Sequence, residues 1–450
     1  MLAVLIVLMW AAGLALGFET SVSLLTALGF ITILIGLWSP GIGLLGIGLI
    51  ATIDAVSRNF LLTGGLLRWN TLNYLLLFVL AINLPNFLRI NELHTRLLQL
   101  FILLLAIETA VSPAPRNGLI DLINIAAAFG ITIYFARGFK ISGAMYWMAI
   151  LSGLAAGVGG LIFYLQIESL PYVNPNSFAL FPLSALFAIC LGYISADEHR
   201  HGRLVLLFLA ALNFLWIFLS GSRGNMLVAL VTLLFLFLFT RKLSWKIAFI
   251  VAAWAALGVV AYQFSDLQSY AFSRISKFFD PTYSLNQRTS GRSDIAEAGW
   301  RLFLANPLGV GTGGFKDKIA EIGFLEEEIA AHSGWIKVLA ENGIPGIILL
   351  TAYIVSFTLV GWRKRKNGLF LLGVLVSLSF GVALLSKEFE GKSLWLLAMG
   401  GAVLLHHEHM SAIFERKSRF DPLPATSRII PERSLGRPMI DRALKRKRHE

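Results

Sequence analysis

Long uninterrupted runs of apolar residues constrain this chain most. Between Met1 and His406 there are about fourteen such stretches of roughly 14 to 25 residues, and about 20 apolar residues suffice for a helix to cross the hydrocarbon core of a bilayer. The composition agrees, because 56% of the residues are hydrophobic and 14% are charged, against about 25% charged residues in soluble domains. The sequence therefore excludes an ordinary soluble domain and predicts an all-α polytopic membrane protein.

The apolar runs also outline the organisation of the chain. We expect about 12, and up to 14, transmembrane helices, because some short early runs are compatible with half-helices or a re-entrant pair. The candidate spans lie near residues 2–17, 21–37, 41–57, 70–84, 97–111, 118–136, 144–165, 178–195, 203–219, 225–240, 246–263, 335–360, 369–385 and 393–406. The predicted parts are N-terminal transmembrane helices (1–263), a large loop (264–334), C-terminal transmembrane helices (335–406) and a basic cytoplasmic tail (407–450).

Lys and Arg in the short loops orient these spans. With the N-terminus placed in the cytoplasm, the short cytoplasmic loops carry more than twice as many Lys and Arg as the opposite loops. Such an excess marks the cytoplasmic side of a membrane protein. The sequence therefore predicts that both termini are cytoplasmic and that the large loop lies outside. Two helices are predicted in that loop, near Asp294–Ala305 and Lys316–Ala330.

The net charge of +12 does not indicate a nucleic-acid partner, because much of it lies in the tail from Ser411 to Glu450. A basic tail after the last span is typical of a topology signal or of an anchor to anionic lipid. The chain has one cysteine, Cys190, in the middle of a predicted span. It can form no internal disulfide, and we interpret it as a small buried residue.

Three features at the outer side are candidates for chemistry. The first is Ser220-Gly-Ser-Arg-Gly224, between two predicted spans. Glycines on both sides let the backbone turn tightly and approach a ligand closely, which leaves the guanidinium of Arg223 available at the membrane surface. An interfacial arginine that only extends toward water is an equally good interpretation of this segment.

The second feature is Arg288-Thr-Ser-Gly-Arg-Ser-Asp294, which opens a predicted helix that Ser293 or Asp294 can cap. Arg288 and Arg292 lie beside the helix N-terminus, where free amides and the helix dipole favour anions. Arginine also binds phosphate through two parallel hydrogen bonds. The segment therefore predicts a phosphate site, with ion pairs to acidic residues of the same loop as the alternative.

The third feature is His332-Ser-Gly-Trp335, where the loop returns to the membrane. A histidine there can be neutral near pH 7 and accept a proton, although it is also compatible with a plain interfacial residue beside an aromatic belt. Glu341 follows nine residues later, inside a span, where an ionisable group is costly and suggests a function. The alternative for Glu341 is an ion pair with Lys337 on the same helix face.

Motifs for other chemistries are missing from the sequence. No Asp-x-Asp pair occurs, and nothing resembles a phosphate-binding loop of nucleotide hydrolases or a dinucleotide-binding loop. The sequence therefore implies neither a nucleotide cofactor nor a catalytic metal, and we expect no cofactor.

Together these residues resemble the O-antigen ligase and O-antigen polymerase superfamily of bacterial membrane glycosyltransferases, most closely the ligases. The resemblance runs from Asn174 to Gly346 and includes a late, large outside loop. It rests on Asn174-Pro-Asn-Ser-Phe-Ala179, Ser220-Gly-Ser-Arg-Gly224, Gly291-Arg-Ser, Trp300, Asn306-Pro-Leu-Gly-Val-Gly311, and His332-Ser followed after nine residues by Gly343-Ile-Pro-Gly346. The spacing after His332 is the one expected of O-antigen ligases.

The resemblance implies a GT-C-like fold in the bacterial inner membrane with its active site on the periplasmic side. It implies metal-independent, inverting transfer of a glycan from undecaprenyl pyrophosphate to a sugar hydroxyl of lipid A–core. His332 is then the general base, and Arg223 and Arg292 bind the departing pyrophosphate. Substrate binding is assigned to Arg288, Ser222 and Asn176.

Two alternatives remain open from the sequence. A polymerase of O-antigen or exopolysaccharide, or a protein O-oligosaccharyltransferase of the same superfamily, uses the same donor chemistry with another acceptor. A flippase for lipid-linked sugars is the non-enzymatic alternative. It would be expected to carry a charged path along its inner helices, whereas the charges in the middle of spans are few: Asp54, Glu108 and Asp121.

Overall fold

The computed structural model describes most of the predicted bundle and part of the large loop. The described residues are 2–16, 18–36, 92–135, 141–165, 175–195, 200–239, 280–284, 291–321, 331–363 and 369–385, with isolated positions between 42 and 85, at 289, and between 394 and 401. Within them all regular structure is helical. The helices are α1 (Leu2–Leu16), α2 (Phe18–Gly36), α3 (Leu93–Val111), α4 (Pro115–Phe135), α5 (Ile141–Leu165), α6 (Pro175–Ser195), α7 (Arg200–Leu219), α8 (Arg223–Phe239), α9 (Arg292–Ala305), α10 (Phe315–Glu321), α11 (Gly334–Arg363) and α12 (Leu369–Ala383).

Several of these helices are long and apolar enough to cross a membrane. Among the described residues the four segments that qualify are Leu93–Val111, Met145–Tyr164, Gly202–Leu219 and Gly334–Arg363. Shorter apolar helices accompany them at Ser23–Gly36, Phe178–Tyr193, Arg223–Leu234 and Leu372–Ala383. The prediction of a helical membrane protein is confirmed, and the described bounds agree with the predicted spans to about one helical turn.

Some predictions lie outside the described residues. The span near 246–263 and the tail at 407–450 fall there entirely, and those near 41–57, 70–84 and 393–406 fall there for the most part. The expected total of 12 to 14 spans and the four-part division therefore stay predictions. In the loop, α9 confirms the first predicted helix. The second predicted helix corresponds to α10, which the structure describes from Phe315 to Glu321.

Glycines bring α5 and α7 close together inside the bundle. The Asn213 amide donates to Gly153 O at 3.1 Å, and the Trp216 indole donates to Gly157 O at 2.9 Å. Small residues bring membrane helices together because their backbones can then approach closely. Cys190 is buried within α6, as expected.

Helices α11 and α12 form an antiparallel pair, and α3 packs antiparallel to α11. The Trp335 indole donates to Gly381 O at 2.8 Å at one end of the pair, and the Ser377 hydroxyl donates to Ile354 O at 2.6 Å further along. His94 of α3 stacks on Phe357 of α11, with ring centroids 5.5 Å apart. The end of the bundle at which α11 begins, and at which α3 and α12 end, is called the loop end below.

Helix α11 is broken at Gly343, whose backbone has φ 56° and ψ −151°. That conformation is accessible essentially to glycine alone. Pro345 follows two residues later and has no N–H to donate to the helix ladder. Helix α11 therefore consists of a short first part before Gly343 and a long apolar part after it.

Candidate active site

The start of α9 presents Arg292 on a glycine turn. Gly291 is the N-cap residue and has a left-handed backbone with φ 81°, so the sequence-based expectation that Ser293 or Asp294 caps this helix is wrong. The hydroxyl of Thr289 instead accepts a hydrogen bond from the Ser293 backbone N–H at 3.2 Å. Half-buried Arg292 is the first helical residue. Arg292 therefore lies at a helix N-terminus, where the helix dipole favours an anion.

His332 lies in a turn with an unusual backbone. Its φ of 53° makes it the positive-φ non-glycine residue among the described positions, a conformation that a few per cent of such residues adopt and that is enriched at functional sites. The next two residues hold this turn on the C-terminal end of α12. The Ser333 hydroxyl and the Gly334 N–H both donate to Leu384 O, at 3.2 and 2.8 Å. The imidazole itself is exposed.

One small hydrophobic cluster joins the elements that carry Arg292 and His332. Its buried members come from α9, α10, α11 and the residue before His332: Ile295, Ala298, Leu302, Phe315, Ile319, Ala331 and Ala340. Gly299 of α9 lies directly against Ile336 of α11, since a Cβ atom at Gly299 would collide with the Ile336 side chain. The structure thus packs the two elements together as one unit at the loop end.

Arg223 follows a tight turn between α7 and α8. Gly221 has φ 65° and its N–H donates to Phe218 O at 3.0 Å. Arg223 is half-buried and is the first residue of α8. Helix α8 packs on α12, where the hydroxyls of Thr232 and Ser379 are 3.4 Å apart. The helix of Arg223 and the turn of His332 therefore rest on the same helix, α12.

The predicted substrate-binding residues lie in different environments. The Ser222 side chain is 2% exposed, and its hydroxyl accepts a hydrogen bond from the Asn225 amide at 2.8 Å, which gives it a role inside the turn. Asn176 lies in the first turn of α6, which begins at Pro175 as the motif indicated. Arg288 lies outside the described residues. Substrate contacts of these three residues stay predictions.

The stretch from Asn306 to Gly314, called the glycine loop, completes the broken helix α11. In an unbroken helix the carbonyls of Ala340 and Glu341 would accept from residues 344 and 345. Here the Ile344 N–H donates to Pro307 O at 2.9 Å, and Pro345 has no N–H. The two open carbonyls accept instead from the glycine loop, Ala340 O from Val310 N–H at 3.1 Å and Glu341 O from Gly311 N–H at 2.9 Å.

Glycines make this backbone-to-backbone approach possible. Gly309 and Gly311 both have φ 94°, and Gly313 has φ 82°. A Cβ atom at Gly309 would collide with the backbone of Glu341, and one at Gly343 with the backbone of Pro307 to Gly309. The two motifs of the sequence, Pro307-Leu-Gly-Val-Gly311 and Glu341-Asn-Gly-Ile-Pro345, are therefore the two sides of one contact.

A buried polar cluster lies beneath the glycine loop, and sequence reasoning missed its centre. The Asn342 amide donates to the Glu108 carboxylate of α3 and to the Thr312 hydroxyl, the latter at 2.8 Å. The Thr312 hydroxyl is 3.5 Å from Leu105 O. All three side chains are buried. The sequence marked Glu108 as an intramembrane charge but held no signal that Asn342 is its partner.

A buried ion pair lies nearby between α4 and α11. Lys337 Nζ is 3.0 Å from Asp121 Oδ2. The Glu341 carboxylate accepts the backbone N–H of Phe315 at 3.2 Å, which ties the start of α10 to α11. Glu341, for which the sequence left the role open, thus has a structural contact. The polar side chains in the first part of α11 are thus joined to four elements: α3, α4, α10 and the glycine loop.

Comparison with known proteins adds one finding. Residues 206–351 match the family model described as O-antigen ligase (Wzy_C). No curated protein matches the chain. The matched range contains Arg223, Arg292, His332 and the whole glycine loop. It begins in α7 and ends within α11. Residues 206–351 are therefore similar to the O-antigen ligase family, and this match supports the resemblance of this helical membrane protein to the O-antigen ligase and polymerase superfamily, whose members are membrane glycosyltransferase-like enzymes.

Proposed function

We propose that the chain is an O-antigen ligase. It transfers a glycan from undecaprenyl pyrophosphate to a sugar hydroxyl of lipid A–core, on the periplasmic side of the inner membrane. The observation that supports this most is that helix α9 and the turn before α11 pack into one hydrophobic cluster, within the residues that match the O-antigen ligase family model. One carries an arginine at a helix N-terminus, Arg292, and the other an exposed histidine, His332.

The arginines stabilise the leaving group. When the bond between the anomeric carbon and the phosphate oxygen breaks, its electron pair stays on the pyrophosphate and negative charge grows there. Arg292 and Arg223 each begin a helix, so the guanidinium and the helix dipole act on the same anion. By analogy with donors at an oxyanion, each preorganised arginine contributes about 3–4 kcal/mol to transition-state stabilisation. Arg288, Ser222 and Asn176 complete the proposed donor site.

His332 activates the acceptor. Its neutral imidazole takes the proton of the sugar hydroxyl while the hydroxyl oxygen attacks the anomeric carbon from the side opposite the pyrophosphate. One carbon–oxygen bond forms as the other breaks, so the configuration at that carbon inverts. General-base assistance of this kind typically accelerates a reaction by about 10²–10⁴-fold. The energy comes from the activated lipid, and the proposal needs neither a nucleotide nor a metal ion.

Reconstitution tests this proposal. The purified full-length protein in liposomes receives glycan-linked undecaprenyl pyrophosphate with either lipid A–core or a second molecule of the lipid-linked glycan. We expect glycan-bearing lipid A–core as the product, made also in EDTA and without ATP. Longer lipid-linked chains as the product would instead make the protein a polymerase. Failure to consume the donor with either acceptor would contradict the proposed transfer. A strict requirement for Mg²⁺ would contradict the arginine mechanism.

A further inference from the structure

Trp300 differs from the other exposed tryptophans of the described residues. Trp147, Trp300 and Trp362 are 54%, 49% and 51% exposed. Trp147 and Trp362 lie near the ends of helices that are long and apolar enough to cross a membrane, and tryptophan is enriched at the two edges of a membrane. Trp300 lies instead in the middle of α9, a helix of 14 residues that carries charged side chains along its length. The edge of a span therefore does not account for it.

The exposed side of α9 mixes apolar and charged side chains. At about 100° per residue, Glu297 and Leu304 lie within about 60° of Trp300 around the helix, and Arg301 lies about 100° away on the same side. Glu297 and Arg301 form an exposed ion pair of 2.6 Å. Because exposed charges are costly among acyl chains, a face of this mixed kind is turned to water. Trp300 is therefore a large aromatic ring in an aqueous setting.

Phe303 holds the Trp300 ring in place. The two ring centroids are 5.3 Å apart, and the ring planes are tilted by 45°. Phe303 is itself half-buried, so it anchors the indole while about half of the indole stays accessible. A side chain that is already ordered loses less entropy when it binds a ligand. Trp300 thus presents a preorganised aromatic surface.

Trp300 adjoins the flank of α9 that carries Arg292. Around the helix, Arg292 and Gly299 lie about 80° and about 100° from Trp300, both on the same side. A Cβ atom at Gly299 would collide with Ile336 of α11. This flank therefore faces the start of α11, which follows the turn of His332. The aromatic ring lies beside the flank that joins the two elements of the proposed active site.

The separation along α9 determines which part of a substrate Trp300 can reach. From Arg292 to Trp300 the helix axis rises about 12 Å, at 1.5 Å per residue. That distance exceeds the width of one sugar ring. A glycan whose pyrophosphate lies at Arg292 therefore reaches Trp300 with a sugar beyond the first one, and not with the anomeric carbon at which the bond breaks.

A sugar ring matches the chemistry of this surface. The face of a pyranose carries C–H groups with partial positive charge, whereas the face of an aromatic ring carries negative charge, so the two stack. The indole N–H can donate a hydrogen bond to a neighbouring sugar hydroxyl. An amphipathic ligand of this kind suits an aromatic ring with charged neighbours better than an acyl chain does.

We propose that Trp300 is a stacking platform for a pyranose ring of the donor glycan, beyond the first sugar. Trp300 binds the substrate and does not act on the bond that breaks. The placement rests on the proposed function, because it takes Arg292 as the site of the pyrophosphate. It follows that the enzyme binds a long lipid-linked glycan more tightly than a single lipid-linked sugar.

Two donors of different glycan length test this inference. The full-length protein in liposomes receives either the complete lipid-linked glycan or undecaprenyl pyrophosphate that carries only the first sugar, with lipid A–core as the acceptor. KM and kcat are measured for the unaltered protein, Trp300→Leu and Trp300→Phe. Leucine keeps an apolar side chain without a ring, whereas phenylalanine keeps a ring. Trp362→Leu, near the far end of α11, is the matched control.

We expect Trp300→Leu to raise the KM for the complete donor by about 3- to 10-fold, as for loss of one aromatic contact. Its kcat and its KM for the single-sugar donor should stay unchanged, Trp300→Phe should recover most of the loss, and Trp362→Leu should have no effect. An unchanged KM for the complete donor would overturn the inference, because the ring would then meet only water or lipid. An equal rise with both donors would overturn it as general damage to α9. A rise confined to the KM for lipid A–core would place the acceptor, and not the donor, at the ring.

A binding measurement tests the platform without transfer. The glycan is released from the donor by mild acid, and saturation-transfer NMR records which of its C–H protons receive magnetisation from the protein in nanodiscs. We expect a signal from one sugar ring with the unaltered protein and its loss in Trp300→Leu. Such a result together with no turnover by the unaltered protein would refute the proposed function and leave the platform standing. Equal signals from both proteins would refute the platform even where transfer is normal.

Discussion

Close packing of backbone segments is achieved differently at the interface between α5 and α7 and at the loop end around α11. Both bring backbone close to backbone through glycine. Between α5 and α7 the helices stay intact, and the added contacts are Asn213 and Trp216 donating to carbonyls of α5. At the loop end the helix opens at Gly343, and the glycine loop supplies the missing hydrogen bonds. The first arrangement stabilises a span, whereas the second gives a fixed shape to an irregular segment beside the proposed site.

The largest expected effect is on the chemistry at the loop end. Replacing His332 by alanine removes the proposed base, and we expect transfer to fall by about 10²–10⁴-fold while the protein stays folded. His332→Gly is the sharper variant, because glycine adopts the φ of 53° without strain. Initial rates of lipid A–core glycosylation measure both. Near-normal transfer by His332→Gly would show that the backbone conformation, and not the imidazole, is what the turn requires.

The next largest effect concerns the ion pair that joins α4 to α11. Lys337→Met leaves Asp121 as a buried charge without its partner at 3.0 Å, and loss of one partner of a buried pair typically costs about 3–5 kcal/mol. We therefore expect little folded protein after mild heating in detergent, measured by size-exclusion chromatography. The double variant Lys337→Met/Asp121→Leu removes both charges and is expected to recover most of the loss. Equal instability of the single and double variants would argue that the ion pair does not explain the effect.

Two arginines of α9 provide a matched pair. Arg292→Ala removes the proposed leaving-group contact, and we expect transfer to fall by about 10²–10³-fold, as for loss of one oxyanion donor. Arg301→Ala, about two and a half turns along the same helix, removes an exposed ion pair with Glu297, and such pairs are worth about 0.3–0.5 kcal/mol. Its transfer rate should match that of the unaltered protein. Similar losses in both variants would indicate a general effect on α9.

The smallest expected effect compares the glycine contact at Gly343 with the glycine contact at Gly153. Gly343→Ala forces a side chain into a backbone with φ 56° and against the backbone of the glycine loop, and strain of this kind costs about 1–3 kcal/mol. Gly153→Ala adds the same methyl group in α5, where its nearest neighbours are side-chain atoms of Leu209 and Ile189 at 3.0 to 3.1 Å. We expect the thermal unfolding midpoint to fall more for Gly343→Ala than for Gly153→Ala, because side chains yield more readily than a backbone. The reverse order would mean that the bundle interface is the less tolerant of the two.

The sequence predicted the described helical spans because apolar runs are a local signal. It also predicted the first loop helix, although the residues expected to cap that helix do not cap it. Motifs also pointed to Arg223, Arg292 and His332. It did not predict what closes the loop end, because those contacts join distant positions. Lys337 and Asp121 are 216 positions apart, and Asn342 and Glu108 are 234 apart. No periodicity pairs such residues. The break at Gly343 was likewise visible only as a motif, since its shape depends on the glycine loop.

The open carbonyls of α11 have a consequence for biogenesis. The segment that satisfies them, Pro307 to Gly311, precedes α11 in the chain and leaves the ribosome first. When α11 enters the translocon, its hydrogen-bonding partners are already synthesised, so the helix need not wait for a later segment to hide its exposed polar groups. Separate synthesis of the two pieces would leave the C-terminal one to insert with that polar gap uncovered.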